Sequence, residues 1–167
     1  MIWFTADSHF GHENIIEYCH RPFKNAQRME QNIIYNYRKV VQPEDTVIFA
    51  GDFTIKGSTY KGYLEHMVSQ LPGKKILVLG NHDKFDPFIY VEVGFRSVHT
   101  AYEIDGFIVC HDPVSSLVDP SKFWICGHVH TLWKTLKNIY NVGVDQHGFF
   151  PVSIDEVRKW RQSIQSI

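Results

Sequence analysis

The chain has few cysteines, no long apolar stretch and almost no net charge, and each shortage excludes a class of protein. Cys19, Cys110 and Cys126 are odd in number and irregularly spaced, which argues against a disulfide framework and for a reducing compartment. No apolar run approaches the roughly 18 residues that a transmembrane helix needs. With 17 Lys and Arg against 18 Asp and Glu, the chain as a whole has no electrostatic preference for nucleic acid or an anionic membrane.

The composition is nevertheless that of a globular protein. Hydrophobic residues make up 44% and aromatic residues 14% of the 167 residues, which is enough to bury a substantial core. We find no linker, repeat or low-complexity segment, so we expect residues 1–167 to form a single domain. The first residues lead directly into the strand-like segment Ile2–Ala6 without a signal core. We therefore expect a cytoplasmic protein with no membrane partner.

Hydrophobic periodicity predicts both helices and strands. Strands are predicted at Ile2–Ala6, Val47–Ala50, Lys75–Leu79, Phe95–His99, Ala101–Ile104, Phe107–Cys110, Phe123–Cys126 and Ile139–Val142, with Phe149 and Phe150 in a further one. Helical patterns cover Asn14–Tyr18, Ala26–Val41 with Asn25 as its cap, a stripe from Tyr60 to Leu71, and Asp86–Val93. Ser153 and Glu156 form a capping-box pattern for a last helix, with Val152 and Val157 as its hydrophobic staple. Helices alternate with strands early and strands dominate late, which predicts an α/β (α+β) fold of two packed mixed sheets with helices outside.

Polar residues follow five of the predicted strands, where a core residue would be expected. These segments are Asp7-Ser8-His9, Gly51-Asp52, Gly80-Asn81-His82-Asp83, His111 and Gly127-His128-Val129-His130. Ligands bind at strand ends in open α/β sheets, because side chains from neighbouring strands converge there. The two residues of each D-x-H or H-x-H pair would point to the same side of an extended chain. Mixed imidazole and carboxylate groups suit divalent manganese, iron, zinc or nickel.

The ordered motifs D-x-H, G-D, G-N-H-D, H and G-H-x-H resemble the calcineurin-like metallophosphoesterase superfamily, in its small branch without a cap domain. They run from residue 7 to residue 130, and each is complete. The resemblance implies a four-layer αββα sandwich with the site at the strand ends. It also implies two divalent metal ions, with manganese expected and iron, zinc or nickel as alternatives. The implied ligands are Asp7, His9 and His130 for the first ion, Asp52 as the bridge, and Asn81, His111 and His128 for the second.

The resemblance further implies roles in catalysis. A hydroxide between the metal ions would attack phosphorus, and His82 would protonate the leaving oxygen. Asp83 is expected to orient His82, because the acidic residue that follows G-D in the protein-phosphatase branch is absent after Asp52. Two residues near the motifs are candidates for binding the phosphate. These are His12, which could instead begin the next helix, and Arg21, which could instead pack against it. Asp112 and Asp145 are interpreted as turn residues.

The expected activity is hydrolysis of phosphate esters, with nucleotide-type phosphodiesters as the expected substrate. The motifs leave little of the chain for a cap, so an open site and a small phosphorylated partner, such as a nucleotide or a nucleic-acid end, are expected. Nuclease and phosphomonoesterase activity at the same site are the open alternatives. A non-catalytic scaffold with a phosphoesterase fold is the alternative from another class, and the retention of His82 with all seven ligands disfavours it.

Overall fold

The computed structural model describes residues 1–55, 60–114 and 119–165. Its strands are Ile2–Thr5 (β1), Thr46–Ala50 (β2), Lys74–Val78 (β3), Phe95–His99 (β4), Tyr102–Ile104 (β5), Phe107–Val109 (β6), Phe123–Cys126 (β7), Thr135–Leu136 (β8), Ile139–Asn141 (β9) and Val152–Ser153 (β10). Its α-helices are Ile15–Tyr18 (α1), Ala26–Val40 (α2), Lys61–Ser69 (α3), Pro87–Glu92 (α4) and Ile154–Gln165 (α5). Within the described ranges, none of these helices has both the length and the apolar character that crossing a membrane requires.

The strands form two five-stranded mixed sheets. The first has the order β10-β1-β2-β3-β4, in which β1 to β4 are parallel and β10 is antiparallel to β1. The second has the order β5-β6-β7-β9-β8, with β6, β7 and β9 parallel and an antiparallel strand at each edge. The predicted fold class, two mixed sheets with flanking helices, is therefore confirmed.

Both faces of the first sheet are buried, and alternation along its strands decides which residues face which layer. Val47, Phe49 and Leu77 join the apolar cluster formed with α2, α3 and α4. Their neighbours Ile48 and Val78 belong to a second cluster with residues of β6, β7 and β9, so this cluster lies between the sheets. Burial on both sides explains why these strands are continuous apolar runs in the sequence.

Local signals set the ends of two helices. Asn25 caps α2 as predicted, its side chain accepting a hydrogen bond from the Arg28 amide at 2.9 Å. Ser153 Oγ accepts from the Glu156 amide at 3.2 Å, which is the first half of the predicted capping box. The Glu156 carboxylate does not complete the box but accepts from Tyr140 Oη at 2.6 Å, which ties α5 to β9.

The prediction of a strand at Phe149 and Phe150 is wrong. Phe149 has φ of 66°, in the left-handed region, which is incompatible with an extended strand. The last strand of the first sheet begins at Val152. The short edge strand Thr135–Leu136 was not predicted, because its two residues are exposed and have no apolar pattern.

We predict that Asp45→Ala destabilises the protein by about 1 kcal/mol, because it removes the acceptor of two partly buried hydrogen bonds. The Asp45 carboxylate accepts hydrogen bonds from Trp3 Nε1 and the Gln42 amide, both at 2.9 Å, and so joins β1 to the turn before β2. Urea unfolding would measure the loss, with Glu44→Ala, at the exposed neighbouring position, as the control. Equal stability of the two variants would contradict the prediction.

Candidate metal centre

The five predicted motif segments all lie at the carboxyl ends of parallel strands, where the two sheets meet. Asp7 and His9 follow β1, Asp52 follows β2, and Asn81 and His82 follow β3; the second sheet contributes His111 after β6, and His128 and His130 after β7. The loops are held together by backbone hydrogen bonds. The Asp7 amide donates to the Gly51 carbonyl at 3.0 Å, and the His9 amide donates to the Asp52 carbonyl at 3.1 Å.

Most of the predicted ligands have an unusual backbone conformation. Five have a positive φ: Asp7 (57°), His9 (48°), Asp52 (54°), His128 (71°) and His130 (46°). Such angles are uncommon outside glycine, and sparsely populated backbone conformations concentrate at functional sites. The predicted extended backbone of the two pairs is therefore wrong, and His128 and His130 belong to different groups of ligand atoms, described below.

Two motif glycines are required by close packing. A Cβ on Gly80 would collide with the carboxylate and the backbone nitrogen of Asp52. A Cβ on Gly127 would lie 2.6 Å from Ala6 Cβ and 2.9 Å from Asp7 Oδ2. Only a residue without a side chain lets the loops approach closely enough for their ligand groups to meet.

One group of ligand atoms is formed by Asp7, His9 and His130, which offer atoms within 4.8 Å of one another. His9 is 1% exposed, and both of its ring nitrogens are buried without a hydrogen-bond partner. A buried polar group without a partner is costly, and a bound cation would satisfy it. His130 Nδ1 lies 2.9 Å from Asp145 Oδ2, a contact that orients the imidazole ring.

A second group is centred on His111. Its Nε2 lies 3.0 Å from Asn81 Oδ1 and 3.2 Å from His128 Nδ1. Its Nδ1 lies 2.8 Å from the Ala50 carbonyl oxygen, an arrangement that keeps the proton on Nδ1 and directs the Nε2 lone pair towards the other ligand atoms.

Asp52 connects the two groups. Its Oδ2 lies 3.5 Å from His9 Nε2 in the first group and 3.3 Å from His111 Nε2 in the second. Its Oδ1 accepts a hydrogen bond from the His82 amide at 2.8 Å, which fixes the carboxylate orientation. A carboxylate has two oxygens and about four acceptor positions, so Asp52 can serve both groups.

Burial and neighbouring charges shift the pKa values of the ligands in both directions, and burial raises the pKa of the Asp7 carboxyl, which disfavours its charged form. Burial lowers the pKa of His9 to about 2, so this imidazole is neutral. Burial on its own would raise the pKa of Asp52, but hydrogen bonds and charge from His111 and the His82 amide lower it to about 2. Burial would lower the pKa of His111, yet its bond to Asp52 and the charges of Asp7 and Asp52 raise it to about 9. Binding a cation at His111 therefore requires release of a proton.

A family model for calcineurin-like phosphoesterases matches residues 1–162, which include all of these groups. The chain belongs to the calcineurin-like phosphoesterase family. It is 33% identical over 167 aligned residues to the uncharacterized protein MJ1445 of Methanocaldococcus jannaschii, covering 95% of this chain and 89% of the relative. It is also 29% identical to the gene 66 protein of Mycobacterium phage L5, covering 93% of this chain and 91% of that protein.

Two solved structures share the fold. The crystal structure of the protein of unknown function AQ665 from Aquifex aeolicus is 27% identical and has a TM-score of 0.71, covering 96% of this chain and 98% of that one. The Pseudomonas putida nuclease MPE is 19% identical with a TM-score of 0.53, covering 77% of this chain and 61% of that one. Family membership and the clustered ligand groups support a metal-dependent phosphoesterase.

The structure does not support Arg21 as a phosphate clamp. Its side chain is fully buried, and Nε and Nη2 donate to both oxygens of Asp145 at 2.8 and 2.9 Å. The guanidinium also donates to the backbone carbonyls of Asp7 and Ser8 and to the sulfur of Met29, and it lies 5.9 Å from the centre of the Phe149 ring. Arg21 therefore supports the loop that carries the first ligands, which corrects the expectation from the sequence.

Asp145 has a role that the sequence did not indicate. It was interpreted as a turn residue, and it does lie in the short 3₁₀ helix Val144–Gln146. Its carboxylate joins buried Arg21 to His130, and the bond to Asp145 raises the pKa of His130 to about 10 although burial acts in the opposite direction. No local pattern could have paired residues 124 positions apart.

Asp83 does not orient His82 as expected. Its carboxylate faces away, accepting hydrogen bonds from the backbone amides of Asp52 at 2.8 Å, Phe53 at 3.1 Å and Gly80 at 2.9 Å. Asp83 thus joins the loop after β2 to the loop after β3. The prediction of a catalytic role for Asp83 is corrected to one of supporting the loop that carries Asp52.

His82 and His12 lie on the open side of the ligand groups. The ring of His82 is 5.3 Å from that of His9, and the ring of His12 is 5.5 Å from that of His9 and 6.4 Å from that of His82. Both side chains line the same cavity. Both imidazoles therefore lie next to the first group of ligands, and substrate binding by His12 stays a prediction.

We predict that Asp145→Asn lowers the affinity for the first metal ion about 10–100-fold, the usual effect of losing the partner that orients a histidine ligand. Calorimetric titration of metal-free protein with Mn²⁺ would measure it. Asp155→Asn, on the exposed face of α5, is the matched control. Melting curves of both variants would separate a metal effect from loss of fold, since Arg21 depends on the same carboxylate. An unchanged titration of folded Asp145→Asn would disprove the role.

Proposed function

We propose that the chain is a dinuclear metal-dependent phosphodiesterase that hydrolyses small nucleotide-type phosphate esters. The observation that carries the proposal is the position of Asp52 Oδ2, within 3.5 Å of His9 Nε2 and 3.3 Å of His111 Nε2. One carboxylate oxygen between two separate groups of nitrogen and oxygen ligands is what a bridging ligand requires.

Seven side chains would hold the two ions. Asp7, His9 and His130 would bind the first, Asp52 would bridge, and Asn81, His111 and His128 would bind the second. Manganese is the ion that we expect. When bound, a pair of such ions supplies Lewis acidity and lowers the pKa of coordinated water, which makes a nucleophile available at neutral pH.

Proton donation and contact with the phosphate are assigned to two imidazoles on the open side of the ligand groups. We assign His82 the role of general acid, giving its proton to the departing ester oxygen. His82 is half-buried and lines the cavity beside the ligands, so a substrate can reach it. His12, 6.4 Å from His82 between ring centres, is positioned to contact a phosphate oxygen. Arg21 has no part in substrate binding in this proposal.

The proposal predicts two metal ions per chain and turnover of phosphodiesters. Elemental analysis of reconstituted protein, with a panel of mono-, di- and pyrophosphate esters assayed with Mn²⁺, Fe²⁺, Zn²⁺ and Ni²⁺, would test it. Asp52→Asn should reduce both metal content and turnover, because the bridge is weakened, whereas Asp155→Asn should change neither. One ion per chain that is indifferent to Asp52→Asn would refute the dinuclear site, and preference for monoesters would refute the diesterase assignment.

For His82, we predict an effect that depends on the leaving group. Proton donation is worth about 10²–10⁴-fold when the leaving group is poor, and much less when it leaves as a stable anion. His82→Ala should therefore retain its metal ions and hydrolyse a nitrophenyl ester at a useful rate, but lose most of its activity on an alkyl or ribose ester. His66→Ala, on the exposed face of α3, is the control.

The comparison requires the metal content of each variant and conditions in which the chemical step limits the rate. If fully metallated His82→Ala loses equal activity on both esters, His82 positions the substrate or stabilises charge, and the general-acid assignment fails.

A further inference from the structure

The space beside His82 is lined by imidazoles on one part of its surface and by apolar side chains on another. A cavity of about 410 Å³ lies between the imidazoles of His9, His12 and His82 and an apolar wall. We call this the apolar cavity, and define its wall by Ile15, Tyr18, Val129 and Leu132. Its size is within the range of small-molecule sites, which hold ligands in about 300–1,000 Å³.

Two residues of this wall are unusually exposed for their type. Tyr18 is 68% and Leu132 is 78% exposed, although both have large apolar side chains. Single exposed apolar residues are common, but here two of them face one cavity next to the ligand groups. The Tyr18 ring is 6.2 Å from the His12 ring in an edge-on arrangement, so its position relative to the site is defined.

A second cavity, which we call the polar cavity, measures about 270 Å³. Five of the eight described residues that line it are polar, among them Asn81, Thr100, Asp112 and His111. His128 lines both cavities, so they adjoin at this ligand. His82 lines the apolar cavity and is not among the residues that line the polar one.

We propose, resting on the function proposed above, that the apolar cavity holds the leaving group and selects one that carries an aromatic ring, either an aryl alcohol or a nucleoside whose base is that ring. A general acid must lie within hydrogen-bond reach of the oxygen that it protonates. The departing substituent therefore occupies the cavity that His82 lines, and the other ester substituent faces the polar cavity. Tyr18 stacks on the aromatic ring, and Leu132 packs against its edge.

The charge around the two cavities favours a small substrate over a nucleic-acid strand. Among the described residues that line them, there is no Lys or Arg, and Asp112 adds a carboxylate on the polar side. Sites that follow a single strand combine stacking with a basic groove that neutralises successive phosphates. With a stacking tyrosine but no Lys or Arg among their described lining residues, the cavities fit an ester with one phosphate at the metal site.

The test compares two methyl phosphodiesters whose leaving groups have similar acidity, one phenyl and one hexafluoroisopropyl. Stacking on an aromatic side chain contributes enough that Tyr18→Ala should lower kcat/KM for the phenyl ester about 5- to 150-fold. The loss on the fluoroalkyl ester should be much smaller, because this group has no π-face. Tyr18→Phe should retain the activity of the unmodified protein on both esters.

Controls separate this inference from the proposed function. Tyr35→Ala removes another tyrosine that is 59% exposed, on the distant helix α2, and should alter neither ester. Equal losses on both esters for Tyr18→Ala, or a loss for Tyr18→Phe, would overturn the stacking role while leaving the phosphodiesterase intact. If the metal-loaded, unmodified protein hydrolyses neither these esters nor any in the panel above, the proposed function fails and this inference fails with it.

Discussion

The site depends above all on the position of the Asp52 carboxylate. Its Oδ2 lies close to His9 Nε2 in the first group and to His111 Nε2 in the second, and its Oδ1 accepts a hydrogen bond from the His82 amide. The Asp52 amide donates a hydrogen bond to the Asp83 carboxylate, and the Asp52 carbonyl accepts one from the His9 amide. Loops from three parallel strands are thus connected through one residue, so a shift of Asp52 would move ligands of both groups.

Such a site carries a conformational cost that the rest of the fold must offset. Five ligand residues have positive φ, and each sparsely populated conformation costs of the order of 1–3 kcal/mol. The strands that carry them are among the best buried parts of the chain, with Phe4, Phe49 and Ile125 almost fully enclosed. The burial of these strands offsets the cost of the strained turns at their ends.

The sequence predicted the fold class and the convergence of the ligand groups, because both depend on local order: apolar runs followed by short polar motifs. It did not predict the supporting contacts. Arg21 meets Asp145 across 124 positions, and Asp83 binds the amides of Asp52 and Phe53, some 30 residues earlier in the chain. The roles predicted for Asp83 and Asp145 depend on their neighbours in sequence. A buried carboxylate instead accepts hydrogen bonds from the donors that the tertiary fold brings near it.

The burial of Arg21 has a consequence for how this site recognises phosphate. A guanidinium can bind two phosphate oxygens at once through parallel N–H groups. In Arg21, these N–H groups already donate to the Asp145 carboxylate and to the Asp7 carbonyl. Among the described residues that line the two cavities, only imidazoles offer positive charge near the ligand groups. In the proposed enzyme, attraction for the phosphate would therefore come mainly from the cations that the ligand groups would hold, and this attraction is common to every phosphate ester. Selectivity between esters then depends on the contacts of the two ester substituents with the walls of the cavities, and not on the metal ligands.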